Sequence, residues 1–93
     1  MTVYRIFETD VFTSRLEALI HSGERGIRKK LDQTIYPHLR SSPHFGPQIK
    51  KLKNYQPETW RYRIGNYRIF YGIDENSRIV SILTVDHRKD SYK

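Results

Sequence analysis

From Trp60 to Tyr71 the chain reads WRYRIGNYRIFY, apolar and aromatic residues alternating with arginines on either side of a Gly-Asn pair. Period-2 alternation around such a pair predicts a β-hairpin with a tight primed turn at Gly65-Asn66. The register then runs outward as Ile64 with Tyr67, Arg63 with Arg68, Tyr62 with Ile69, Arg61 with Phe70 and Trp60 with Tyr71. Trp60, Tyr62, Ile64, Tyr67, Ile69 and Tyr71 share one face, the core face; Arg61, Arg63, Arg68 and Phe70 share the other.

The rest of the pattern surrounds this hairpin. Val3 to Phe7 alternates as a first strand. Thr9 or Asp10 can cap a helix in which Phe12, Leu16, Leu19 and Ile20 fall on one stripe, ended by Ser22-Gly23. A second helix is expected from Glu24, with Ile27, Leu31 and Ile35 on its stripe and Pro37 kinking or ending it. SSPHFGPQ (41–48) reads as a loop, and 49–54 as a short strand near a sheet edge. Strands follow at 60–64 and 67–73, then a turn at 74–77. From Arg78 to Val85 both faces are apolar, as in a buried central strand. The order β-α-α-β-β-β-β predicts an α+β fold: a small, mostly antiparallel sheet with two N-terminal helices packed on one face.

Length bounds this to a single domain over residues 1–93. The net charge of +7 favours polyanionic partners, nucleic acid first. Five of those seven charges lie between residues 50 and 71, where Lys50, Lys51, Lys53, Arg61, Arg63 and Arg68 are offset only by Glu58. The chain has no cysteine, which excludes disulfides and thiolate chemistry. MTVYRIFETD lacks the apolar run of a signal peptide, and no segment has the ~20 apolar residues of a membrane span, so no membrane partner and a cytoplasmic location are expected.

The arginine face poses a problem, because Arg63 and Arg68 stand opposite one another and like charges in that position destabilise a sheet. Either they splay into water or meet acids, or they converge on an anion that they can grip bidentately. No metal signature, P-loop, GxGxxG turn or GxSxG elbow occurs, so no metal or cofactor is expected. His87, followed by Arg88 and with Tyr92 beyond it, ends the strand expected beside the hairpin. It is either an ordinary strand-end residue or a neutral-range titrating group brought near the arginines. Such a cluster suits RNA cleavage without a metal: a 2′-hydroxyl attacks the adjacent phosphate, a base removes its proton, cations stabilise the phosphorane and an acid protonates the leaving 5′-oxygen. Arginine fits only the stabilising role, which leaves His87, a depressed lysine such as Lys51 or Lys53, or an oxygen of the RNA or its surroundings as base. Lys50, Lys51 and Lys53 are expected to bind nucleic acid rather than react, and Tyr92 to stack on a base or act as acid.

LKNYQPETWRYRIGNYRIFYGID followed by IVSILTVDHRKDSYK resembles the C-terminal half of RelE/ParE-superfamily toxins, and the N-terminal strand and helix pair fit the same fold. A RelE-like resemblance implies a toxin that enters the ribosomal A site, cuts mRNA there, and is neutralised by a cognate antitoxin encoded beside it, oligomerising only through that antitoxin. Arg61 and Arg63 fall where RelE has two catalytic lysines. Arg68 falls on its hairpin arginine, Arg88 on its late arginine and Tyr92 on its C-terminal tyrosine. His87 neighbours a position where related mRNA interferases use histidine, which makes it the preferred substitute for the lost lysine base. The ParE branch poisons DNA gyrase instead, and fold alone does not separate the two. A third class is a non-catalytic relative that binds nucleic acid or antitoxin.

Overall fold

The computed structural model describes residues 3–87. Five strands form one sheet in the order β1-β5-β4-β3-β2. They are β1 (Arg5–Glu8), β2 (Ile49–Lys51), β3 (Trp60–Ile64), β4 (Tyr67–Asp74) and β5 (Ile79–His87). The pairings are antiparallel except that of β1 with β5, which is parallel, so the sheet is mixed. Between β1 and β2 lie α1 (Asp10–His21) and a second helical rod made of α2 (Gly26–Lys30), a π turn (Leu31–Ile35) and α3 (Tyr36–Ser41). Both rods cover one sheet face, and Phe12, Leu16, Leu19, Ile27, Leu31, Ile35, Leu39, Tyr62, Ile69, Tyr71, Val80, Ile82 and Val85 form the core between the layers.

Of the two outcomes expected at Pro37, a kink or an end, the structure excludes the end: the second rod runs on through it to Ser41. Apolar residues spaced four apart, as Ile27, Leu31, Ile35 and Leu39 are, drift about 40° per step around an ordinary α-helix. A π turn is wider, and Tyr36 N–H bonds back to the Leu31 carbonyl across it. The wide turn pulls the stripe back toward the sheet, and all four residues are fully buried. Pro37 sits in the first turn of α3, where the missing N–H is tolerated.

The hairpin register is the expected one, pair for pair. Gly65 has φ 57°, and Asn66 is not among the residues with positive φ, the signature of a II′ turn with glycine first. β2 is shorter than the 49–54 expected and lies at the sheet edge; β1 begins at Arg5 rather than Val3. β5 is an inner strand, but its simple alternation is interrupted. Phe70 pairs with Thr84 and Tyr71 with Ile82, so Leu83 bulges out of the ladder. The bulge changes which residues face the helices: Val80 and Ile82 before it, Val85 and His87 after it.

Because β1 stops opposite Ile82, the outer edge of β5 beyond that point is closed by α1 instead. Thr9 accepts the Phe12 N–H as N-cap and donates its hydroxyl to Ile82 O at 2.8 Å, and Arg15 Nη2 meets Asp86 at 3.0 Å. Ile69, fully buried where hairpin and helices meet, tests the packing. Ile69→Ala is expected to lower unfolding free energy in urea by about 2–5 kcal/mol.

Candidate functional site: a basic sheet face

The helices occupy one face of the sheet, so whatever the hairpin directs the other way stays open. Three tyrosines settle that direction. Tyr62 hydroxyl lies 3.1 Å from His38 Nδ1, and His38 Nε2 is 2.7 Å from Phe45 O, an arrangement in which His38 donates to the carbonyl and accepts from the phenol. Tyr71 donates to Pro43 O at 2.7 Å, and Tyr67 donates to the Glu24 carboxylate. Burial is the main reason that all three phenols are held above their ordinary pKa, with Glu24 adding to the effect at Tyr67. They are donors, not acids, at neutral pH.

On the open face Arg63 stands opposite Arg68, and one row further from the turn Arg61 stands opposite Lys50 of β2. Phe70 pairs with Arg61 from the other side and supplies a flat apolar surface beside the cations. Among the described residues none of the three arginines forms an ion pair. The Nε–H groups of Arg61 and Arg68 are buried and meet no protein acceptor there. Buried donors of charged groups are seldom left without a partner, and four cations in two adjacent rows repel. A phosphate oxygen would answer both demands at once.

The other expected site residues divide. Lys51 points to the helix side of β2, with Nζ 2.7 Å from Glu58 and 5.9 Å from the Trp60 ring centroid. Lys51 holds the Glu58 carboxyl below its usual range. Lys53 lies in the β2–β3 loop beyond the ladder. Arg88 and Tyr92 lie outside the described residues.

His87 is not brought to the arginines. The Leu83 bulge turns it to the helix side, 6 % exposed, with its ring 5.0 Å from that of Tyr67 and Nε2 3.6 Å from Glu24. The expectation that it joins Arg61, Arg63 and Arg68 is corrected on this point: the sheet stands between them. Its neighbour Asp86 lies opposite Arg68 on the open side, and Arg15 reaches around the β5 edge to bind it. Sequence reasoning passed over Asp86; counting back along β5 from a known β4–β5 register would have found it.

A family model described as the ParE toxin of the type II toxin–antitoxin system parDE matches residues 6–92. Toxin RelG of Mycobacterium tuberculosis is 43 % identical over 44 residues, which are 47 % of this chain and 51 % of that protein, so the match spans about half the length of this curated relative. The M. tuberculosis toxin–antitoxin complex RelBE2 superposes with a TM-score of 0.73 at 27 % identity, covering 95 % of this chain and 94 % of the other. The RelB–RelE complex of Methanococcus jannaschii gives a TM-score of 0.67 at 29 % identity, over 92 % and 94 %. A mutant of the Escherichia coli toxin RelE in the free state shares the fold at 16 % identity, with a TM-score of 0.55 over 98 % and 90 %.

If the opposed arginines repel, removing one should help the fold. Arg63→Ala is expected to raise unfolding free energy in low salt by about 0.2–1 kcal/mol, an increment that shrinks as salt screens the pair. Urea titrations at two ionic strengths measure it, and a clear loss of stability would mean that Arg63 has a structural partner.

Proposed function

This chain belongs to the ParE toxin family of type II toxin–antitoxin systems, and we propose that it acts as the RNA-cleaving kind of such a toxin, cutting mRNA in the ribosomal A site. The observation that carries the reading is the open face on which Arg61, Arg63 and Arg68 converge, two of them with buried Nε–H groups lacking a protein acceptor.

In this reading the arginines hold the scissile phosphate. The 2′-oxygen attacks phosphorus, the 5′-oxygen leaves, and a 2′,3′-cyclic phosphate remains. Guanidinium groups fixed by a sheet need little reorganisation as charge builds on the phosphorane oxygens, which is where such groups accelerate a reaction. They do not take the proton, since arginine stays charged at any physiological pH. With His87 behind the sheet, the 2′-hydroxyl proton goes to an oxygen of the RNA or of its ribosomal surroundings. Arg88 and Tyr92 enter by the family resemblance alone, as a further phosphate contact and as a stacking group or acid. Lys50 and Lys53 bind the flanking backbone, and Lys51, tied to Glu58, does so more weakly.

The similar RelBE2 and RelB–RelE structures are complexes with antitoxins, which supports an antitoxin partner here too. A chain with this charge calls for acidic segments in that partner.

The test is expression of the chain in bacteria, with mapping of mRNA ends on ribosomes. Wild type is expected to arrest translation and leave cuts within the A-site codon. Arg68→Ala is expected to slow cleavage by about 10²-fold or more with the fold intact. Gyrase-dependent DNA damage with mRNA uncut would select the gyrase-poisoning branch instead.

A further inference from the structure

We propose that the β2–β3 loop, residues 52–59, continues the basic face into a track for single-stranded RNA, with Tyr55 as a platform on which an unpaired base stacks. The proposal rests on the RNA-cleaving reading above and adds a subsite to it.

The geometry begins with the strand repeat. Residues two apart on one strand face lie about 6.6–6.8 Å apart, comparable to the phosphate step of an extended single strand. Arg63 with Arg68 makes one row and Arg61 with Lys50 the next. A third row would fall at Leu52 and Thr59. There the ladder closes with Leu52 N–H donating to Thr59 O at 2.9 Å, and the chain swings out as a loop. A strand of RNA laid along β3 from Arg63 past Arg61, away from the hairpin turn, therefore meets this loop at its next step.

The loop has the chemistry for it. Lys51, Leu52, Lys53, Asn54, Tyr55, Gln56 and Glu58 line a concave surface at the rim of the sheet, where Leu52 continues the open face and Lys51 the helix side. Tyr55 is 55 % exposed, and among the described residues its hydroxyl makes no hydrogen bond and its ring meets no other aromatic ring. A single exposed tyrosine is common on a protein surface. This one shares its concavity with Lys53, which forms no ion pair among the described residues, and with its two chain neighbours, Asn54 and Gln56. Together they offer an aromatic face for a base, a cation for its phosphate and two groups able to hydrogen-bond a base edge. The one carboxylate in the concavity, Glu58, is already neutralised by Lys51 at 2.7 Å. Stacking accepts every base, so the subsite would add affinity with little dependence on sequence.

The experiment uses a short labelled single-stranded RNA, 2′-O-methylated throughout so that it cannot be cut, with binding followed by fluorescence anisotropy across a salt series. Tyr55→Ala is expected to weaken binding about tenfold with the salt slope unchanged, and Tyr55→Phe to bind within about twofold of wild type. Lys53→Ala is expected to lower the slope by about 0.7. Wild-type affinity in Tyr55→Ala, or a loss shared by Tyr55→Phe, overturns the stacking platform while leaving A-site cleavage by the wild type untouched. Failure of the wild type both to bind the RNA and to cut ribosome-bound mRNA removes the functional reading, and the subsite with it.

Discussion

The molecule depends on one constraint: in the β3–β4 hairpin every second side chain must be buried. Tyr62, Tyr67, Ile69 and Tyr71 are each at most 6 % exposed, and each tyrosine spends its hydroxyl on the helical layer or the loop beside it. A slip of one residue would put phenols in water and guanidinium groups against Ile27 and Leu31, so the register is held firmly. The gathering of Arg61, Arg63 and Arg68 is a by-product of that burial, because the remaining face is the only place left for them. The repulsion costs tenths of a kcal/mol per pair, of order 0.2–1, against about 1.5–3 kcal/mol for burying each large side chain behind it. The core wins, and the protein carries a face of like charges whose repulsion an anion would relieve.

The two sheet edges are treated differently, which bears on where a ligand can approach. Thr9 and Arg15 seal the outer side of β5 beyond the end of β1. At the other edge β2 has three residues, two of them lysines, a composition that discourages pairing with another strand and leaves the rim basic. Access to the arginine rows from the β2 side is therefore open and electrostatically favoured for a polyanion.

What could be read in the sequence was what a local rule controls. The hairpin register, the Thr9 cap and the helical stripes each follow from residues within a few positions of one another, and all are found in the structure. The parallel partnership of β1 with β5 joins residues more than seventy positions apart, and no local pattern announces it. The π turn was hidden because Pro37 suggested a break, whereas the four-residue repeat preceding it was the better signal. Most consequential was Leu83: one bulged residue leaves the composition of β5 unchanged yet reverses the facing of everything after it. His87 thereby passes to the core side and Asp86 to the arginine side. The expectation for the arginines needed only the hairpin, and the expectation for His87 needed a ladder that sequence alternation alone describes wrongly.

That reversal also narrows the chemistry available. Buried against Tyr67 and Glu24, His87 braces the end of the sheet from behind, where protonation would bring an ion pair to Glu24 and no proton to a substrate. Around the arginine rows the described part of the open face then offers fixed positive charge, the Phe70 ring and the Asp86 carboxylate, already bound by Arg15. Such a surface can position a phosphate and stabilise added negative charge, but among the described residues it carries no histidine. A catalyst of this kind gains its rate from electrostatic preorganisation and from whatever its target contributes to proton transfer. Among the described residues the surface proposed to hold the phosphate supplies no histidine as general base, so in the proposed reaction the target has to contribute the proton acceptor.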